Sequence, residues 1–300
     1  MKNNLIYYAA VVLIKLFNAL PRHWALVIGG IIGEIWYLLV AKDRKIATRQ
    51  TREVLGYTDG KLKAHVRANY EAMVKNLIDV LRMNSWTPEY VGSLVKVEGY
   101  ENFLQAYNRN QGVLALTGHI GNFELLAGWY SYYKKHKVSV IGRELYDKRF
   151  NKMLIEQRAR YGEANIPTTS SIKTIIKALR DGHAIGVLID QDSTRVSGYF
   201  IDFFGRKALT PAGPMFIARK TGAPVVPMAI YRQPDDTYII RILPELKLEW
   251  TDNKEEDIKN ALMQCNRALE QLIMYDPLQW VWVHNRWRTR PPDEKEATHD

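Results

Sequence analysis

Only one cysteine, Cys265, occurs among the 300 residues, so a disulfide within this chain is excluded. Its neighbours, in IKNALMQCNRALEQL, have a helical pattern, and we predict a small buried hydrophobic side chain rather than a reactive thiol. A reducing compartment fits this scarcity. The sequence also lacks internal repeats and low-complexity segments, and we expect only residues 291–300, PPDEKEATHD, to form a loose tail.

Several catalytic and binding signatures are missing too. There is no HExxH, and the other histidines form no ligand pattern with His119, so we expect neither a metal nor another cofactor. No GxSxG occurs, and Cys265 is badly placed, so a covalent acyl-enzyme is not indicated. Although the net charge is +10, zinc-finger spacing and aromatic-basic recognition patterns are absent, which argues against a nucleic-acid partner.

The composition that is present, 47% hydrophobic and 25% charged, is typical of a folded protein. Its positive charge is concentrated near the start, since residues 1–52 contain eight Lys/Arg against two acidic residues. Five of these basic residues directly follow the most apolar part of the chain. Anionic lipid or an acidic protein partner explains this location better than nucleic acid does.

Two apolar runs, residues 5–20 and 24–41, precede that basic cluster. The second run has 18 residues and one charge, Glu34, which is at the short limit for crossing about 30 Å of hydrocarbon. Lys15 and Glu34 favour a helix pair that dips into, or lies along, one leaflet, with Trp24, Trp36 and Tyr37 at interfacial depth. A single crossing by the second run, a cleaved signal peptide and two buried core helices are the alternatives.

From about residue 60 an amphipathic helix is followed by short apolar runs that alternate with helical patterns. This rhythm predicts an α/β fold with a mostly parallel central sheet flanked by helices. Strands are predicted at residues 113–117, 138–142, 184–190, 225–231 and 238–243, and helices at 101–108, 122–135, 148–161, 172–180, 211–220 and 255–274.

Polar residues follow three of the predicted strands: His119 the first, Arg143 the second, and the run from Asp190 to Asp192 the third. The carboxyl ends of parallel strands line the crevice in which open α/β sheets bind ligands. The coincidence of three polar groups at such ends carries more weight than any single residue. We therefore expect the functional site at this edge of the sheet.

The stretch TGHIGNFELL, which follows the first strand, places His119 and Glu124 five positions apart. Such a spacing separates two side chains by about 140° on a continuous helix, so their cooperation requires a turn. Gly118 and Gly121 permit the turn, and Asn122 is a good N-cap for the next helix. A histidine paired with a carboxylate can act as a general base, whereas the alternative is a structural loop residue beside a helix start.

The motifs HIGNFE, DQD, IDFFGRKALTPAGP, TGAPVVP and QWVWVHNRW, in this order, resemble the bacterial lipid A biosynthesis acyltransferases. The resemblance is to the late lauroyl and myristoyl acyltransferases, within the wider group of lysophospholipid and glycerolipid acyltransferases. It implies a glycerolipid acyltransferase-like catalytic domain at residues 46–290, after membrane-anchoring helices at 1–45 and before the tail at 291–300. The implied location is the bacterial inner membrane, and the positive-inside bias of the basic cluster after the second apolar run places the catalytic domain on its cytoplasmic face.

The same resemblance implies roles for individual residues. His119 would take the proton from the acceptor hydroxyl as that oxygen attacks an acyl thioester, and Glu124 would orient and stabilise it. Arg143 and Arg158 would bind a phosphate or polar headgroup, for which arginine is well suited, although surface salt bridges would account for both. Asn122 would shape the loop and contribute to substrate binding.

The DQD block stands where glycerophosphate acyltransferases carry a Glu-Gly-Thr-Arg type block, and this departure favours the lipid A branch. Phe203 and Phe204 are candidates for an acyl slot, with ordinary core packing as the alternative. The remaining substrate-binding candidates are Asp190, Gln191, Asp192, Arg195 and Asp202.

These observations predict a membrane-associated O-acyltransferase that moves a fatty acyl chain from a thioester to a hydroxyl of a lipid A precursor. Acyl carrier protein is the expected donor, with acyl-CoA as the other possibility, and the expected acceptor is a phosphorylated glycolipid. A lysophospholipid or another glycolipid is the alternative acceptor. A thioesterase and a non-catalytic lipid-binding protein are the rival classes of function.

Overall fold

The computed structural model describes residues 2–194, 197–292 and 294, and a seven-stranded sheet forms its centre. Five neighbouring strands are parallel, as the sequence predicts, and two strands at one edge run the other way. In spatial order the strands are β1 (Val95–Glu98), β9 (Tyr238–Ile242), β8 (Val225–Arg232), β2 (Val113–Thr117), β5 (Ala184–Leu188), β3 (Val138–Gly142) and β4 (Glu163–Pro167).

Helices cover both faces of this sheet, and a separate antiparallel hairpin, β6 (Gly198–Phe203) with β7 (Arg206–Pro211), lies outside it. Short 3-10 turns occur at Met83–Ser85 and Pro277–Gln279, and a π-helical segment occurs at Trp129–Tyr133. The α-helices are α1 (Lys2–Ala19), α2 (Arg22–Leu39), α3 (Ala41–Leu55), α4 (Asp59–Arg82), α5 (Pro88–Leu94), α6 (Tyr100–Tyr107), α7 (Phe123–Gly128), α8 (Lys148–Arg160), α9 (Ile172–Arg180), α10 (Gly213–Thr221) and α11 (Lys254–Tyr275).

The sheet separates two hydrophobic cores. One core packs α6, α7 and the π-helical segment against the sheet, with Phe103, Leu125 and Tyr130 among its buried side chains. The other contains α9, α10, α11 and the hairpin, and Cys265 is fully buried there, which confirms the prediction of a buried thiol. Because successive strand residues point to opposite faces, the central strands β2, β5 and β8 each supply both cores.

The N-terminal helices α1 and α2 pack on α4 and leave an apolar face exposed. Gly33 permits a close approach of α2 to α4, since a Cβ there would lie 2.7 Å from the Cα of Glu71. Trp24 is 55% exposed, but Tyr37 is buried and contacts Tyr70, so Tyr37 does not occupy the surface position expected for it.

None of the described helices is by itself long and apolar enough to cross a bilayer. Helices α2 and α3 meet the length and composition criterion only together, and the chain bends by 93° between them.

Candidate active site

The register of two central strands brings His119 and Asp190 together. In the parallel pair of β2 and β5, Thr117 lies opposite Leu188. His119 and Asp190 each follow two residues after these partners, so both emerge at the same height on the carboxyl edge of the sheet. The Asp190 carboxylate is almost completely buried, whereas the His119 side chain is 25% exposed.

The carboxylate of Asp190 receives three hydrogen bonds. The Nδ1 of His119 lies 2.8 Å from Oδ1, the backbone N–H of His119 donates to Oδ2 at 2.8 Å, and the indole N–H of Trp280 donates to Oδ2 at 2.9 Å. Because an ionised carboxylate only accepts hydrogen bonds, Nδ1 carries the ring proton. The Nε2 of His119 is then left as an acceptor, and no partner for it is found among the described residues.

The His119–Asp190 pair alters the pKa of both members. Burial alone would lower the pKa of His119, but the charge and hydrogen bond of Asp190, helped by the charge of Glu124, raise it above the ordinary value. Burial would raise the pKa of Asp190, yet His119 and the hydrogen bonds from Trp280 and the backbone lower it to about 2. The pair therefore favours an ionised carboxylate and a basic imidazole.

The turn that carries His119 depends on a glycine. Gly121 has a φ of 58°, and a Cβ at this position would lie 1.9 Å from the carbonyl oxygen of Ile230. The next residue, Asn122, caps α7 by accepting a hydrogen bond from the N–H of Leu125 at 3.1 Å. Asn122 is 2% exposed, so the structure gives it a helix-capping position rather than a surface open to substrate.

Glu124 does not form the expected hydrogen bond with His119. Its two carboxylate oxygens accept from Arg158, at 2.6 Å from one guanidinium nitrogen and 3.2 Å from another. Arg158 also donates to Asn165 at 2.7 Å, which fixes the guanidinium between α8 and β4. The first turn of α7 thus directs Glu124 toward a positive charge, while Asp190 occupies the Nδ1 side of the imidazole.

His119, Glu124, Arg143 and Arg158 nevertheless share one cavity of about 300 Å³. Most of its wall is formed by alternate residues of the neighbouring strands β2, β5 and β3, with small side chains along β2 and β5. The polar groups lie at the carboxyl edge of the sheet, and the opposite end is apolar. The lining residues of the strands are Ala115, Thr117, Val138, Val140, Ile141, Gly142, Ala184, Gly186, Leu188 and Met228, and those at the apolar end include Phe103 and Tyr130.

The other predicted residues lie in several places. Arg143 is exposed at the cavity mouth and forms no ion pair within the described part of the chain. Gln191 is partly buried beside Asp190, and the side chain of Asp192 is buried, where it accepts from Thr289 at 2.9 Å and pairs with Arg288. Arg195 lies outside the described residues.

Three predicted residues lie away from this cavity. Asp202 is exposed on the hairpin and pairs with Lys207 at 2.9 Å. Phe203 is fully buried against Trp280, and Phe204 packs beside it. Neither phenylalanine lines the cavity, because the hairpin packs on the opposite face of the sheet.

Sequence reasoning missed the partner of His119 and the apolar end of the cavity. No local sequence pattern indicates the hydrogen bond from Trp280 to Asp190, because the two residues are distant in sequence. A β-bridge between Ile120 and Trp280 holds the indole beside the carboxylate. A signal for the cavity was present, because Ala115 and Gly186 place very small residues inside otherwise bulky strands.

A family model described as bacterial lipid A biosynthesis acyltransferase matches residues 1–289, and the chain belongs to this family. The protein is therefore an acyltransferase, and its family supports acyl transfer to a lipid A precursor.

Individual relatives carry more specific names. The chain is 26% identical over 244 residues to the lipid A biosynthesis palmitoleoyltransferase of Escherichia coli, an alignment that covers 76% of this chain and 73% of the relative. It is 25% identical over 230 residues to the lipid A biosynthesis lauroyltransferase of the same organism, covering 74% and 71%. It is also 24% identical over 238 residues to a phosphatidylinositol mannoside acyltransferase of Mycolicibacterium smegmatis, covering 77% and 75%.

Proposed function

We propose that this acyltransferase moves a fatty acyl chain from an acyl carrier protein thioester to a hydroxyl of a lipid A precursor, with His119 as general base. The observation that carries the proposal is the pairing of His119 with the buried carboxylate of Asp190 at the mouth of an apolar cavity. Such a carboxylate fixes the tautomer and stabilises the imidazolium that forms.

In the proposed reaction, Nε2 of His119 accepts the proton of the acceptor hydroxyl while that oxygen attacks the thioester carbonyl carbon. The tetrahedral intermediate then expels the thiolate of the donor, and the thiolate takes the proton from the imidazolium. A new ester bond replaces the thioester bond, and the base returns to its neutral form. Asp190 acts throughout as the positioning residue.

The cavity supports the placement of the acyl chain. Its walls are aliphatic and aromatic, and it begins at the proposed base. Burial of each methylene there would contribute about 0.8 kcal/mol to binding. The acyl chain of the donor would therefore extend from His119 along β5 toward Phe103 and Tyr130.

Two arginines at the mouth suit a phosphorylated acceptor. Arg158 is held by Glu124, and Arg143 is exposed and unpaired within the described residues. A guanidinium can form two parallel hydrogen bonds with a phosphate. In this proposal Glu124 has two roles. It holds the guanidinium of Arg158 in place, and its charge helps to raise the pKa of His119.

Association with the inner membrane, on its cytoplasmic face, completes the proposal. More than half of the exposed large hydrophobic side chains in the described residues belong to the first 40 positions. A patch of this kind beside a basic segment is typical of a helix pair that lies on an anionic bilayer. The exposed side chains include Tyr8, Val12, Leu13 and Leu16 on α1 and Trp24, Val27, Ile31, Ile35 and Leu38 on α2.

The test of this function is acyl transfer by purified protein, with products identified by mass spectrometry. We expect His119→Ala to lower kcat/KM by about 10²- to 10⁴-fold, the usual contribution of a general base. Thermal melting of each variant checks that the fold is retained. A folded His119→Ala protein with undiminished transfer would rule out the proposed base.

The pH dependence distinguishes the two carboxylates near His119. Only the neutral imidazole accepts a proton, so activity should fall as the pH is lowered through the pKa of His119, which lies above its ordinary value. Asp190→Asn removes the largest influence that raises this pKa and should move the acid limb to lower pH. Glu124→Gln should move the limb less, because its charge contributes least. Equal displacements would contradict Asp190 as the positioning residue.

A second acceptor class is favoured by one observation. The phosphatidylinositol mannoside acyltransferase is almost as similar to this chain as the lipid A enzymes are. Parallel assays with a lipid A precursor, a lysophospholipid and a mannosylated phosphatidylinositol, each with carrier-protein and CoA thioesters, would separate these acceptors and donors. We expect the highest kcat/KM with the lipid A precursor and the carrier-protein thioester.

A further inference from the structure

The loop between β3 and α8, residues 143–147, exposes two large side chains beside the cavity mouth. Tyr146 is 97% exposed and Leu145 is 45% exposed, so neither contributes much to the packing of the fold. Gly142, the last residue of β3, and Arg143, the first residue of the loop, line the cavity. The loop is therefore an extension of the cavity rim into solvent.

Helix α1 lies directly against the start of α8, which follows this loop. The rings of Tyr7 and Phe150 are 5.4 Å apart between centroids, and the guanidinium of Arg149 lies 4.2 Å from the centroid of Tyr7. Arg149 also donates to the side-chain oxygen of Asn4 at 2.9 Å. These contacts make the loop and the exposed apolar side of α1 neighbours on one surface, which we name the portal surface.

The charges around the portal surface suit an anionic bilayer. Arg143, Lys148 and Lys15 are exposed there, whereas Glu144 is the exposed acid of the loop, because Asp147 is paired with Arg149. Tyrosine is enriched at membrane interfaces, where its ring is apolar and its hydroxyl stays hydrated. A lysine or arginine near an anionic surface adds about 1 kcal/mol of attraction.

We infer that Leu145 and Tyr146 insert into the lipid bilayer, so that the cavity mouth opens onto the membrane and the acceptor reaches His119 without crossing water. This inference rests on the proposed membrane association and adds the loop as a second contact. The occupant of the portal surface is an anionic lipid bilayer, and the exposed face of α1 continues the same contact.

Spin labelling can test the inference, because the chain has one cysteine and it is buried. In a Cys265→Ala background, labels are placed by Tyr146→Cys, by Leu13→Cys on α1, and by Met274→Cys on α11. Met274 is 51% exposed and belongs to the helix layer on the other face of the sheet. Power saturation with oxygen and with a water-soluble nickel complex then reports depth in vesicles of phosphatidylethanolamine and phosphatidylglycerol.

We expect the labels at positions 146 and 13 to become accessible to oxygen and protected from nickel, while the label at 274 stays in water. A label at 146 that remains as aqueous as the one at 274, while position 13 enters the bilayer, would overturn the inference and leave membrane association standing. If position 13 also stays in water, both the inference and the proposed membrane association fail.

A kinetic comparison adds an independent readout. Leu145→Ser should raise KM for an acceptor presented in vesicles by about tenfold, since full burial of a leucine side chain is worth at least one power of ten in partition. Transfer to the same acceptor dispersed as detergent monomers should change by less than about twofold. Phe216→Ser on α10 is the matched control, because Phe216 is similarly exposed, at 41%, but lies away from the loop. Equal effects of the two variants on vesicles would contradict insertion of the loop.

Discussion

The length of the transferred acyl chain should depend on Gly186. This residue lines the middle of the cavity on β5, between Ala184 at the apolar end and Leu188 at the polar end. A Cβ added to Gly186 would have no neighbour closer than Val140 Cγ1 at 3.9 Å, so a larger side chain fits the protein but occupies the cavity. Valine is also favourable in a strand, and Gly186→Val is therefore the change of choice.

The cavity length follows from the strand. Four residue steps separate Ala184 from Leu188, which at about 3.3 Å per step gives roughly 13 Å. An extended carbon chain advances about 1.25 Å per carbon, since bonds of about 1.5 Å meet at about 111°. The part of the cavity between Ala184 and Leu188 thus accommodates about ten carbons. With the carbons beside His119 included, the whole acyl chain has about ten to twelve carbons.

Valine at position 186 would block the part of the cavity between Gly186 and Ala184, a length of two strand residues at the apolar end. About 6.6 Å of cavity, or about five carbons, would be lost. At about 0.8 kcal/mol per buried methylene, the loss for a full-length chain is about 4 kcal/mol, close to a thousandfold in kcat/KM relative to a short chain. The optimum should therefore move to a chain about five carbons shorter.

The assay is competition among a ladder of saturated acyl thioesters, from shorter to longer than about twelve carbons, with products measured by mass spectrometry. Ile185→Val is the matched control, because Ile185 belongs to the same strand but is buried in the opposite core. Its stability should fall by about 0.5–1.5 kcal/mol without a change in chain preference. A uniform loss of activity for Gly186→Val, with the optimum unmoved, would refute the placement of the acyl chain.

Two further predictions concern stability and the catalytic turn. Asp79 is fully buried and paired with Arg22 and Arg232, so Asp79→Ala should lower the free energy of unfolding by about 3–5 kcal/mol in denaturant titrations, and an unchanged midpoint would contradict this. Burial would raise the pKa of Asp79, but these arginines lower it, so its stabilisation is present at neutral pH and should be lost as the pH falls below about 4. Gly121→Ala should strain a left-handed turn against Ile230 and reduce kcat more than it raises KM, whereas full activity would show that the turn tolerates a Cβ.

Much of the sheet could be predicted because its central strands are buried apolar runs bounded by turn residues. The predicted ranges for β2 and β3 match the observed strands, and β5, β8 and β9 differ by one or two residues at an end. The short edge strands β1 and β4 were missed, since VKVE and EANIP contain polar residues and few consecutive apolar ones. The hairpin strands β6 and β7 are not among the predicted strands, since GYFIDF and RKALTP contain no long apolar run.

The predicted helix at residues 122–135 differs from the observed structure in its second half. The α-helix ends at Gly128, and a π-helical segment follows from Trp129 to Tyr133. Tyr130 of this segment lines the apolar end of the cavity. Sequence periodicity does not distinguish an α-helix from one π-helical turn, so the side chain that closes the cavity could not be assigned from sequence.

The partner of His119 shows why the site was only partly predictable. Sequence proximity suggested Glu124, whereas strand register places Asp190, 71 positions away, against Nδ1. The order of the strands along the chain does not show that β2 pairs with β5, because β3 is the next predicted strand after β2. In the sheet β5 lies between β2 and β3, and this pairing sets the register that brings Asp190 to His119. The two acids consequently have different surroundings: Asp190 is buried and receives three donors, while Glu124 neutralises Arg158 at the mouth. The HxxxxE motif alone therefore does not show which acid contacts the histidine. The order of the strands in the sheet is also required before Glu124 and Asp190 can be given separate roles.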